Sequence, residues 1–140
     1  MELGIDYSAI CDVIARLAHS ADEGTIEEYL DLFTVDAEWV LAAPVPGVAP
    51  DRRIGRLDIA EGVAVRRRAG VQGPGTATRH VITTISVTSC SGKKANAVSY
   101  WMFYINTTTR PELSGVGKYH DSFVRTTDGW RLSARSIHVG

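Results

Sequence analysis

Thr78-Arg79-His80-Val81-Ile82-Thr83 places a histidine near the start of an apolar, β-branched run, which is the composition of a strand. Far upstream, Asp22 lies at the end of a segment in which Ile10, Val13, Ile14, Leu17, Ala18 and Ala21 recur. That spacing is one buried stripe of an amphipathic helix. Far downstream come Tyr119-His120-Asp121-Ser122-Phe123-Val124-Arg125 and Asp128-Gly129-Trp130-Arg131. An acid at the end of a covering helix reaches a histidine on a strand only across a concave sheet. A carboxylate so placed can orient an imidazole that moves protons. The stretch thus predicts a curved sheet covered by helices and a small proton-transfer site.

Working outward, the first helix is predicted over about 6–21, with Asp6 or Ser8 placed to cap it. Gly24 ends it. Thr25-Ile26-Glu27-Glu28 has the form of a capping box, opening a short helix with Ile26, Tyr29, Leu30 and Phe33 on its apolar face. Ala37–Leu41 reads as a strand. Pro44, Pro46, Gly47 and Pro50 then break regular structure in a candidate lid or pocket rim. A third helix is predicted over about 58–68, with Ile59 and Val63 on one face. Gly70, Gly73, Pro74 and Gly75 terminate it. Arg66-Arg67-Arg68, at its end, point in different directions and read as a solvated helix end. Strands are predicted near 77–89, 94–107, 114–127 and 130–138. Ser91-Gly92 and Asp128-Gly129 are hairpin turns, and Arg110-Pro111-Glu112 lies in a longer connection. The expectation is one α+β domain over 1–140: three helices on the concave side of a curved, mostly antiparallel sheet.

Bulk properties narrow the function. The chain has 140 residues, 44% hydrophobic and 22% charged, with a net charge of -1. No basic field exists to collect phosphates, so nucleic-acid binding is not expected. Cys11 and Cys90 form no disulfide framework or CxxC site and are expected as reduced thiols of a cytoplasmic protein. The first ten residues lack the pattern of a signal peptide, and no apolar run is long enough for a membrane span. HExxH, GxSxG, GxGxxG and P-loop patterns are absent. No metal or other cofactor is expected.

Strand parity sorts the candidate pocket residues. His80, Ile82 and Thr84 share a face. Tyr100, Met102 and Tyr104 share another, opposite Trp101, Phe103 and Ile105. Tyr119, Asp121, Phe123 and Arg125 share a face that mixes aromatics with both charges, as a polar-lined pocket would. Trp39, Met102, Tyr104 and Phe123 are expected as apolar walls, and Tyr119 or Tyr100 as a donor to a substrate oxygen. Arg125 would stabilise negative charge or pair with Asp121. The outward set Trp101, Phe103 and Ile105 is too apolar for water and predicts a homodimer packed sheet to sheet. His19, His120 and His138 are weaker candidates. Asp22 extends the buried row of the first helix, although an aspartate there can also simply begin the turn to Gly24.

Taken in order, Asp22, Asp36-Ala37-Glu38-Trp39, Arg79-His80-Val81-Ile82-Thr83, Gly117-Lys118-Tyr119-His120-Asp121, Arg125 to Leu132 and Arg135 resemble the SnoaL-like branch of the NTF2-like superfamily. Within it the chain is similar to scytalone dehydratase and hexachlorocyclohexane dehydrochlorinase. The resemblance covers nearly the whole chain. It implies a cone-shaped α+β barrel around a deep apolar pocket. It also implies that His80 and Asp22 match the pair that removes a proton during elimination, that Trp39 lines the pocket, and that Arg125 lies near a pocket arginine. For the tyrosine acid of scytalone dehydratase, Tyr29, Tyr100 and Tyr119 are the candidates.

Two functions are therefore expected as alternatives. One is a cofactor-independent lyase or isomerase (dehydratase, cyclase or isomerase) acting on a small apolar ring compound such as a polyketide, terpenoid or steroid. There His80 is the general base and Asp22 holds its tautomer. The other is a non-catalytic ligand-binding or assembly module. Contact between His80 and Asp22 at an accessible cavity distinguishes the first from the second.

Overall fold

A computed structural model of the protein describes residues 2–42 and 49–140. Pro44, Pro46 and Gly47, read as a lid or rim, lie outside the described residues. The elements are α1 (Glu2–Glu23), α2 (Ile26–Leu30), β1 (Phe33–Leu41), β2 (Asp51–Ile54), α3 (Arg56–Arg68), β3 (Arg79–Cys90), β4 (Lys94–Ile105), β5 (Glu112–Thr126) and β6 (Gly129–Val139). The six strands form one curved sheet in the order β2-β1-β6-β5-β4-β3. Among the described residues, β1 and β6 run parallel and the other neighbours are antiparallel.

Local chemistry explains most boundaries. Thr25 Oγ1 accepts from the Glu28 N–H at 3.1 Å, and Glu28 accepts from the Thr25 N–H at 3.2 Å. The expected capping box is therefore formed. β2 was not expected: it is four residues long and mostly charged, a short edge strand paired only with β1. Asp6 does not cap α1, which begins earlier. It is buried inside α1 and accepts hydrogen bonds from Arg125 Nη2 and from Trp130 Nε1, the latter at 3.2 Å. It ties the helix to the β5–β6 hairpin.

Curvature comes from irregular pairing. The β3–β4 register shifts between Thr83 and Ser86, where Thr84 has a φ of 55°. A β-branched residue at positive φ is strained, and it marks a bulge that bends the strand. Thr84 is exposed there and does not continue the His80–Ile82 face. α1 packs against β3 and β6, and α3 against β1 and β2. Ile10, Ile14 and Leu17 of α1 are each no more than 1% exposed. Burial of such side chains stabilises by about 1.5–3 kcal/mol apiece. They meet Phe33, Ala37, Ile59, Val63, Phe123 and Leu132 in one core. Among the described residues, no helix is long and apolar enough to cross a membrane.

Candidate active site

Asp22 projects from the last turn of α1 onto the start of β3. Its Oδ1 lies 2.6 Å from His80 Nδ1, and its Oδ2 accepts from the His80 backbone N–H at 3.0 Å. The carboxylate is thus fixed by two bonds to one residue. Its side chain is 6% exposed and that of His80 15%. The end of α1 is held separately. Arg67 donates to the carbonyls of Gly24 at 2.9 Å, Ser20 at 3.1 Å and Ala21 at 3.3 Å. A cation on the last carbonyls is favoured by the helix dipole. It offsets the unfavourable placement of Asp22 at the same end.

An ionised carboxylate only accepts hydrogen bonds. A carboxylate facing Nδ1 favours hydrogen on that ring nitrogen. Phe103 packs on the imidazole with ring centroids 4.7 Å apart.

His80 lines a cavity of about 330 Å³ between the helices and the sheet. Its apolar wall includes Ile14, Leu17, Leu41, Ile82, Trp101, Phe103 and Ile137. Trp39, Tyr29 and Tyr119 line it as expected. Burial pushes the phenols of both Tyr29 and Tyr119 above their ordinary pKa. Both stay protonated donors at neutral pH.

Several expected pocket residues lie elsewhere. Strand β4 has the opposite parity to that read from the sequence. His80 pairs with Phe103 and Ile82 with Trp101, so Trp101 and Phe103 face the cavity. Tyr100, Met102 and Tyr104 face outward, and Tyr100 is 45% exposed. Both alternating sets on β4 are large and apolar, so alternation alone does not choose between them. The expected sheet-to-sheet dimer face of Trp101, Phe103 and Ile105 is overturned for the same reason. Gly117 supplies the missing signal. It pairs with Trp101, and a Cβ there would lie 2.6 Å from the indole and 1.9 Å from the His138 carbonyl oxygen. Only glycine leaves room for the tryptophan on this face.

Phe123 is in the core, 1% exposed, and does not line the cavity. Arg125 lies toward the far end of β5, stacked 5.3 Å from the Trp130 ring and bonded to Asp6. Asp121 pairs with Arg135 instead. Nε meets Oδ1 at 2.8 Å and Nη2 meets Oδ2 at 2.9 Å. Burial opposes the Arg135 charge, but Asp121 more than restores it and holds the guanidinium above its ordinary pKa. That guanidinium stacks 3.8 Å from the Tyr119 ring centroid and lines the cavity.

Arg66 also departs from its expected place. It is not a solvated helix end. Its guanidinium stands 4.7 Å from the Trp39 ring centroid and lines the cavity, while Arg67 binds α1 and Arg68 alone is well exposed. Among the described residues, no group of three His, Cys, Asp or Glu side chains is placed to hold a metal ion.

The fold has clear counterparts. An NTF2-like protein with a cystatin-like fold from Novosphingobium aromaticivorans is similar over 99% of this chain and 84% of its own, with 24% identity and a TM-score of 0.81. A Catenulispora acidiphila protein, solved in complex with S-DNPA, is 26% identical, with 95% and 92% of the two chains covered and a TM-score of 0.73. Another N. aromaticivorans protein, provisionally named a scytalone dehydratase, is 20% identical over 97% and 85% of the chains, with a TM-score of 0.72. No curated protein matches the chain. The sequence matches the SnoaL-like domain from residue 5 to residue 136, and the protein belongs to that family.

Proposed function

We propose that the protein is a cofactor-independent lyase or isomerase that removes a proton from carbon in a small ring compound. One observation carries this reading: the 2.6 Å contact between His80 Nδ1 and Asp22 Oδ1 at the wall of an apolar cavity. This contact favours the enzyme reading over a binding module. His80 Nε2 accepts the proton from carbon next to a carbonyl or leaving group. Asp22 stabilises the imidazolium that results, as an orienting carboxylate does. Charge then develops on the substrate oxygen. Tyr119 is a suitable donor to it, because burial keeps the phenol protonated. Tyr29 is the alternative donor on the same cavity. The cavity volume suits a compound of one or two rings.

The test is solvent deuterium incorporation next to the carbonyl of a panel of ring ketones, including 1-tetralone, followed by NMR. Wild-type protein should accelerate exchange of at least one member, and folded His80→Ala should not. No acceleration by the wild type across the panel, or equal acceleration by His80→Ala, would overturn the proposal.

A further inference from the structure

The cavity wall carries an imbalance of charge. Among the described residues, its titratable side chains are Tyr29, Arg66, His80, Tyr119 and Arg135, and no carboxylate lines it. Asp22 and Asp121 stand behind His80 and Arg135 and are engaged by them. Arg135 is thereby neutralised by a bidentate partner. Arg66 is not. Its nearest carboxylate oxygen, Asp51 Oδ2, is 4.0 Å away. Asp51 is already bound by Arg53 at 2.9 Å, and Arg53 also reaches Asp58 at 3.5 Å.

The Arg66 side chain is only 22% exposed, and burial lowers its pKa. A partly desolvated guanidinium whose nearest carboxylate oxygen is 4.0 Å away keeps N–H donors free for an anion. Trp39 covers one face of it. Gly62, one turn earlier on α3, leaves it space. A Cβ at Gly62 would lie 3.2 Å from both Arg66 Nη1 and Arg53 Nε. The guanidinium is therefore packed in place and fronts the same apolar cavity as His80.

We propose that Arg66 is the docking residue for a carboxylate on the substrate, so that the cavity selects ring compounds bearing one anionic carboxylate over neutral ones. A planar guanidinium offers paired N–H donors that match the two carboxylate oxygens. The apolar walls hold the ring, and the carboxylate fixes its orientation in front of His80. This inference rests on the cavity being the site proposed above, but it concerns binding and does not require turnover.

The experiment is calorimetric titration at pH 7 with 2-naphthoate and its neutral counterpart 2-naphthamide. Wild-type protein should bind the carboxylate at least about tenfold more tightly, the scale of one charge-assisted hydrogen-bonded pair. Arg66→Met should lose that preference while still binding the amide. His80→Ala should keep it, which separates this inference from the fate of the proton-transfer reading. Equal affinity of the wild type for the two probes would overturn the proposal whether or not any variant folds. So would a preference that survives in Arg66→Met and disappears in His80→Ala, since the anion would then dock on His80.

Discussion

Replacing Asp121 by asparagine isolates the energetics of the ion pair beneath the cavity. The substitution keeps the shape of the side chain and removes its charge. Asp121 and Arg135 are 1% and 5% exposed, so water does not repair the loss. The guanidinium stays charged and buried, with Tyr119 3.8 Å away as its remaining close neighbour. Breaking half of a buried pair costs about 3–5 kcal/mol. An unfolding entropy of about 2.1 cal/mol/K per residue, over 140 residues, converts this to a melting temperature lowered by roughly 10–17 °C. Thermal denaturation followed by circular dichroism reads it directly. The paired change Asp121→Leu with Arg135→Met should recover most of the loss, because a well-packed apolar pair often replaces a buried ionic one at little cost. A drop of less than about 3 °C for Asp121→Asn would refute the assignment of Asp121 as the essential counter-charge of Arg135.

Three further outcomes are expected. Burial raises the folded pKa of Tyr119 and Tyr29 above the ordinary value of about 10, so the fold binds these protons more tightly than the unfolded chain. The associated stability is complete below pH ~10 and is lost as pH rises above it; melting temperatures between pH 8 and pH 11 should fall less steeply in Tyr119→Phe than in the wild type. Asp6→Ala should destabilise by about 1–3 kcal/mol in urea titration, because it strips the acceptor from the buried Trp130 N–H and from Arg125. Gly117→Ala should give little soluble protein or an altered near-ultraviolet tryptophan signal, since its Cβ would sit 1.9 Å from a backbone oxygen; a wild-type melting curve would contradict the packing described around Trp101.

The His80–Asp22 contact was legible in the sequence because each partner sits at the end of a strongly patterned element and because the resemblance to SnoaL-like proteins matched the two as a pair. The helical stripe carries Asp22 to the buried side, and the β-branched run carries His80 to the sheet. The rest of the pocket was less legible, for separable reasons. β4 is apolar on both faces near its end, so the choice between Trp101 and Tyr100 depended on Gly117 across the pairing rather than on alternation. Asp121 was placed on the right face, but its partner depended on register, and the register brings Arg135 beside it instead of Arg125. Arg66 sits in a basic run, which resembles a solvated helix end whatever it touches. Its place on the cavity wall depends on the packing of α3 over Trp39.

The most direct test of the account is a double-mutant cycle on deuterium exchange into a responsive ring ketone, using wild type, His80→Ala, Asp22→Asn and the double variant, each checked for folding by circular dichroism. If the two residues act as one unit, each single change removes most of the exchange and the double change costs little more than the worse single one. Independent, multiplying losses, or a folded Asp22→Asn protein exchanging at the wild-type rate, would contradict the claim that Asp22 orients His80 for proton removal.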